Sequence, residues 1–394
     1  PDCAVSARRA RVLFRPLSRN SPLHMNLRCT REPLLAALQT AAVVVPTRST
    51  RPVLTNVKLD VDGSTAVLSA TDLEIGIRTE IEGVETTAAG SVLLPSGRLM
   101  AIVRESPPGT TFEIESDGNA TVVKAARSQF RLPAEDPVEF PSVVTFPADA
   151  CFELSTPLVR ELVRRTVFAT DNESSRYALG GVLLELTDAT VVAVGTDGRR
   201  LAKMEGPSSI QGGELPATQP IVPARAMQLI ERSLGDAETP VKLAVQGSDV
   251  LIHTGHTTIS ARLVEGRFPR WRDVFPDRPD AVRVKVVAGP LLSAVRQAAI
   301  VTSEQSKGVD FGFESGQLVL AGQSAESGQS RVEMPIDHSG ETIQIKLDPR
   351  FVSEFLRVLD PATSIDVELT DGQSACVYRT EDGYGYCVMP LAAD

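Results

Sequence analysis

A proline-led amphipathic helix recurs three times along the chain, each time entered from a short strand. The stretches are "LRCTREPLLAALQTAAVVV" (27–45), "FELSTPLVRELVRRTVFAT" (152–170) and "VRVKVVAGPLLSAVRQAAIVTS" (282–303). Pro33, Pro157 and Pro290 fall in the first helical turn, where a missing N–H costs nothing. The apolar residues after them follow the i, i+3, i+4 spacing of a helix with one buried face. A second strand–proline–helix run follows each, at "VLLPSGRLMAIVRES" (92–106), "PIVPARAMQLIERSL" (220–234) and "QIKLDPRFVSEFLRVL" (344–359). Alternating β-rich runs fill the space between. One order of elements written three times is the mark of internal repetition. The expected fold is therefore α+β: three tandem copies of a unit with two helices and roughly eight short strands. Pro-rich stretches at 140–150 and 275–282 mark the boundaries. The units are read as 25–146, 147–277 and 278–394.

The turns repeat as well. "ATDLEIGI" (70–77) and "GTDGRRLA" (195–202) each read as strand, Thr-Asp turn, strand. Asp72 and Asp197 are turn residues in this reading. Only the second copy follows its turn with Gly198 and two arginines, where the first has Leu73 and Glu74. That divergence points to a task other than folding.

Residues 1–24 differ from the rest, with five arginines, one acid and no long apolar core. They are read as an N-terminal extension outside the fold and disordered; a targeting peptide is the weaker alternative. No apolar run approaches the roughly 20 residues of a membrane span. The five cysteines (Cys3, Cys29, Cys151, Cys376 and Cys387) are scattered without a C-x-x-C pair, which suits a reducing cytoplasm rather than a disulfide framework or zinc site.

Charge is distributed unevenly. The chain carries a formal net charge of −10, which taken alone argues against a nucleic-acid partner. The six helical stretches run the other way. Arg31, Arg98, Arg104, Arg160, Arg164, Arg165, Arg225, Arg232, Arg296, Arg350 and Arg357 stand against Glu32, Glu105, Glu161, Glu231, Asp348 and Glu354. Arg225 and Arg232, like Arg350 and Arg357, share a helix face at a spacing of seven. Arginine is common on solvated helices, but a positive helical surface in an acidic protein also suits a phosphate backbone. No aromatics interleave with these arginines, so base stacking is not expected.

Catalytic signals are few. There is no phosphate-binding G-x-x-x-x-G-K-[ST] loop, no nucleophile–base pair and no cofactor motif. "HTGH" places His253 and His256 in a Thr-Gly turn, which reads as a hairpin tip before it reads as a metal site. No enzyme activity, metal or cofactor is expected. A metal hydrolase at these histidines and a repeat-built protein adaptor without DNA are the competing classes.

Taken together, "RSTRPVLTNVKL" (48–59), "SRYALGGVLLEL" (175–186), "GTDGRRLA", "IVPARAMQLI" (221–230), "LVEGRFPRWRDVFP" (263–276) and "YCVMPL" (386–391) resemble the bacterial sliding clamps, the β subunit of DNA polymerase III. The resemblance runs from residue 25 to the end. It implies a cytoplasmic homodimer, closed head to tail into a six-domain ring with helices inside and sheets outside. Such a ring encircles double-stranded DNA without sequence preference and tethers the replicative DNA polymerase, the clamp loader and repair proteins. By the same resemblance Arg48, Arg98, Asn172, Arg176, Tyr177 and Arg225 approach DNA. Phe130 and Leu132 meet Ile300 and Val301 across the dimer interface. Leu179, Thr196, Gly198, Arg200, Leu201, Pro269, Val274, Cys387, Val388, Met389, Pro390 and Leu391 line a groove for short apolar partner peptides. Two departures bear on that groove: Asp273 follows Arg272 where a second basic residue is common, and the chain ends "MPLAAD".

Overall fold

A computed structural model describes residues 25–391 apart from 118–119, 134, 148–149, 172–177, 213–215, 217–218, 276–277 and 303–307. The expected extension at 1–24 lies outside the described residues, as do Asn172, Arg176 and Tyr177.

The helices are α1 (Arg31–Ala42), α2 (Ser96–Glu105), α3 (Thr156–Thr166), α4 (Ala224–Ser233), a short α5 (Trp271–Val274), α6 (Ala288–Ala298) and α7 (Pro349–Arg357). The six long ones pack in pairs, α1 on α2, α3 on α4 and α6 on α7. Their starts follow the sequence. Pro157 and Pro349 sit in the first turn of α3 and α7, where Ser155 and Asp348 accept a backbone N–H as caps. Pro95 and Pro223 stand just outside α2 and α4, at their N-caps. The spans also show one face buried: in α3, Val159, Leu162, Val163 and Thr166 face inward while Arg160 and Arg164 do not.

Every strand pairing among the described residues is antiparallel, and the sheets ignore the unit boundaries. Ile75–Glu80 of the first unit pairs with Thr257–Arg262 of the second, with Ile77 opposite Ile259, and so makes one nine-stranded sheet. Arg200–Pro207 of the second unit pairs with Gly385–Val388 of the third, with Leu201 opposite Cys387, and makes one of eight strands. At the two ends lie sheets of five and four strands. One edge of the five-stranded sheet is Ser128–Pro133 of the first unit, and one edge of the four-stranded sheet is Gly328–Pro335 of the third. One apolar core runs continuously through the second and third units, and a separate one fills the first.

Candidate functional site

The helix arginines divide into two sets. Arg31 is spent on the carbonyls of Val103 and Arg104. Arg164 and Arg165 pair with Glu161, and Arg165 also reaches Asp382 of the third unit. Arg350 pairs with Asp348. Arg225, expected at DNA, is held by Asp72 of the first unit's Thr-Asp turn. The other set, Arg98, Arg104, Arg160, Arg232, Arg296 and Arg357, is exposed and has no ion pair or side-chain hydrogen bond among the described residues. Five of the six long helices contribute at least one. Arg48, in the loop after α1, is likewise exposed and unpaired. In an acidic chain these unneutralised cations form positive surface open to an anion outside it.

The hairpin at 195–202 is built by its own side chains. Thr196 Oγ1 donates to the Arg200 carbonyl at 2.6 Å and accepts from the Gly198 N–H at 3.1 Å. Asp197 Oδ1 accepts from the N–H groups of Arg199 and Arg200. Gly198 sits at φ +85°, in the left-handed region. The turn at 71–75 repeats every one of these bonds through Thr71 and Asp72, and Leu73 adopts φ +81°. The two copies have therefore diverged in side chains and not in backbone.

That divergence buries an arginine. Arg200, expected on a groove rim, is only 8% exposed. It bonds Asp197 at 3.0 Å, the Phe168 carbonyl at 2.7 Å and the Glu354 carboxylate on α7, and lies over the Phe351 ring. It is a tie between the second and third units rather than a free cation.

The terminal segment is only partly a groove wall. Cys387 and Val388 are interior residues of the strand Gly385–Val388, and burial pushes the Cys387 thiol up to about 12. Leu179, Thr196 and Leu201 are buried as well, Leu201 within a small separate core. Among the residues expected to line the groove, surface is offered by Gly198, Val274 and Met389, with Pro269, Pro390 and Leu391 half-buried. The segment is anchored by backbone bonds from Met389 N–H to the Arg199 carbonyl and from Leu391 N–H to the Lys346 carbonyl.

Beneath these residues is a small separate core that the sequence reading passed over. Phe268, Trp271 and Phe275 pack with Leu183, Leu201, Val377 and Cys387. Trp271 Nε1 donates to Glu185 at 2.8 Å, and the Arg272 guanidinium grips the same carboxylate with two nitrogens. The aromatic spacing in "RFPRWRDVF" was the available signal, since i, i+3, i+7 marks one face of a helical turn.

At the chain's two sheet ends, Phe130 is 37% exposed and Ile300 is 77% exposed, with Val301 half-buried. Leu132, expected beside Phe130 in an interface, shares Phe130's face of the strand, two residues on, but belongs to the first unit's core at 6% exposure. His253 and His256 flank a hairpin tip, where His253 bonds Thr258 and His256 turns to Glu82.

Three consecutive family models match the chain: the DNA polymerase III β-subunit N-terminal domain at 25–144, its central domain at 153–270 and its C-terminal domain at 272–392. The chain belongs to the DNA polymerase III β-subunit family. Among curated relatives, the β sliding clamp of Pseudomonas putida is 31% identical over 372 residues, covering 93% of this chain and all of the relative. The β sliding clamp of Escherichia coli K12 is 27% identical with the same coverage. Among solved structures, a sliding clamp from Pseudomonas aeruginosa, bound to griselimycin, superposes with a TM-score of 0.86 at 29% identity, over 94% of this chain and all of that one. The three tandem clamp domains are those expected from the repeated helices.

Proposed function

We propose that two copies of this chain close head to tail into a ring that encircles duplex DNA and acts as a non-catalytic processivity clamp for a replicative polymerase in the cytoplasm. The observation that carries the DNA half is the set of unpaired arginines on five of the six long helices of an acidic protein, in a member of the β-subunit family. The repeat supports the ring. In the first two units the strand that follows the Thr-Asp turn joins the last strand of the next unit. In the third unit its counterpart, Gly328–Pro335, ends a four-stranded sheet, and the last strand of the first unit, Ser128–Pro133, ends one of five. Both edges are largely exposed. A long unpaired edge invites another chain, and pairing the two would repeat the junction already made twice. Arg48 and Arg98, with the unpaired companions named above, are the DNA contacts of this reading; Arg225 contributes only if its tie to Asp72 opens. Phe130, Ile300 and Val301 are the apolar contacts of the closing junction. No metal or cofactor takes part.

The groove reading is that Met389, Leu391, Val274 and Pro269 offer apolar anchorage to a short extended peptide from the polymerase, the loader or a repair protein. With few anchors set against the ordering of a flexible chain, affinity for a lone peptide is expected on the order of micromolar.

Loading onto nicked circular DNA tests the central claim. Clamp should stay on closed circles at moderate salt and run off once the circle is linearised. Equal retention on linear and circular DNA would show binding by contact rather than topology and would sink the ring.

A further inference from the structure

On the sheet face opposite the core, the junction of the first two units carries a row of directly opposed residues across five adjacent strands. Ser69 faces Arg78, Arg78 faces Thr258, Thr258 faces His253 and His253 faces Lys242. Strands lie about 4.8 Å apart, so Arg78 and Lys242 start about 14 Å from each other and both side chains can reach over the ground between. The linker between the units returns across this face. Its Val143 covers Gly76, where an added Cβ would come within 2.7 Å, and its Phe146 ring lies 5.5 Å from that of His253. Linker and row line a half-open cavity of about 440 Å³.

The charge inside is unusual for this chain. Lys58, Lys124, Lys203 and Lys285 each find a carboxylate. Arg78 and Lys242 are half-buried, yet neither has an ion pair or side-chain hydrogen bond among the described residues. Glu153, the next residue along the row, makes no ion pair with Lys242. Glu80 on the rim faces His256 at 3.8 Å. Two half-buried cations with no carboxylate bonded to either leave their charge open to an anion.

We propose that this cavity binds a phosphate monoester. The Arg78 fork and the Lys242 ammonium take the phosphate oxygens, with the Thr258 hydroxyl as a neighbouring donor. A guanidinium matches two phosphate oxygens at once, and an ammonium adds a point charge. A phosphate alone leaves most of 440 Å³ unfilled. The rest, walled by Val67, Phe146 and Pro147, suits a compact organic body with a flat apolar face. Burial, with Lys242 opposite, holds His253 below the usual histidine range. A dianion seated beside it would draw that value back up.

The full-length protein should be titrated with inorganic phosphate, adenosine monophosphate and succinate, followed by calorimetry and by the His253 ring resonances. The ring resonances separate this cavity from the helix arginines. Expected is saturable binding with the order monophosphate tighter than phosphate tighter than succinate, and an upward shift of the His253 titration. Arg78→Gln with Lys242→Gln should weaken binding at least tenfold at unchanged solution mass. Phe146→Ala should weaken the monophosphate and spare phosphate. Should the double variant lose its fold, Lys242→Gln alone, at a half-exposed side chain, carries the same reading. No saturable binding of either phosphate compound, binding that ignores the substitutions, or succinate binding as tightly as phosphate would each overturn the assignment.

Discussion

Leu73 holds a conformation that suits its sister residue better. At φ +81° a side chain crowds the following carbonyl, at a cost of about 1–2 kcal/mol; Gly198 adopts a similar angle, φ +85°, freely. Leu73 is also half exposed, so its side chain contributes little packing. Leu73→Gly is expected to stabilise the first unit by about 0.5–1 kcal/mol, the relief being partly offset by glycine's freedom when unfolded. A urea unfolding curve with an unmoved or lowered midpoint would contradict this. Arg200 is the opposite case. Arg200→Met leaves Asp197 and Glu354 without their cation, and breaking a buried pair costs about 3–5 kcal/mol. Glu354 is 40% exposed, so water recovers part of that, and about 2–3 kcal/mol is expected from the same measurement. The sequence showed the arginine but not its burial, because its partners Phe168 and Glu354 lie far off in the chain. Asp72 and Asp197 were readable as turn residues because their bonds reach only two and three residues ahead.

At the scale of elements, the helices were the most legible part. Proline at the first turn and one-sided apolar spacing are local signals, and each long helix lies within its expected stretch. The strand Gly385–Val388 was harder. "YCVMPL" could be read as groove wall or as buried strand, and only its pairing with Arg200–Pro207 places Cys387 and Val388 inside and Met389 outside. The groove prediction narrows accordingly. Met389→Ala with Leu391→Ala removes exposed or half-exposed apolar surface and leaves that strand intact. Binding of a Gln-Leu-x-Leu-Phe peptide, the kind that the resemblance to sliding clamps implies for the partners, should fall at least tenfold by calorimetry while the solution mass stays unchanged. A peptide that binds the double variant normally would move the groove elsewhere. The edge strand Ser128–Pro133 carries its own prediction. Phe130→Asp puts a carboxylate at a partly exposed position of that edge strand and should shift the solution mass toward the monomer without unfolding the first unit, whose core includes Leu132 and not Phe130.

For the whole molecule, the threefold order was legible because repetition survives where single residues drift, whereas the sorting of arginines was not. Spacing puts Arg225 and Arg232 on one helix face alike, yet Asp72 neutralises the first and nothing among the described residues neutralises the second. That sorting makes a quantitative test. Each phosphate neutralised by a protein cation steepens the fall of log K with log salt by about 0.9 on duplex DNA. Arg160, Arg232 and Arg357 come from three different helices and make no ion pair or side-chain hydrogen bond among the described residues. Changing all three to Gln should lower the magnitude of the salt slope on a linear duplex by roughly 2–3 and slow loading, at unchanged mass and unfolding midpoint. Arg225→Gln alone should behave differently. It releases Asp72 and loosens the first junction, so its effect should fall on stability more than on the slope. A triple variant that keeps the parent's slope would mean that these helices do not face DNA, whatever the ring encloses.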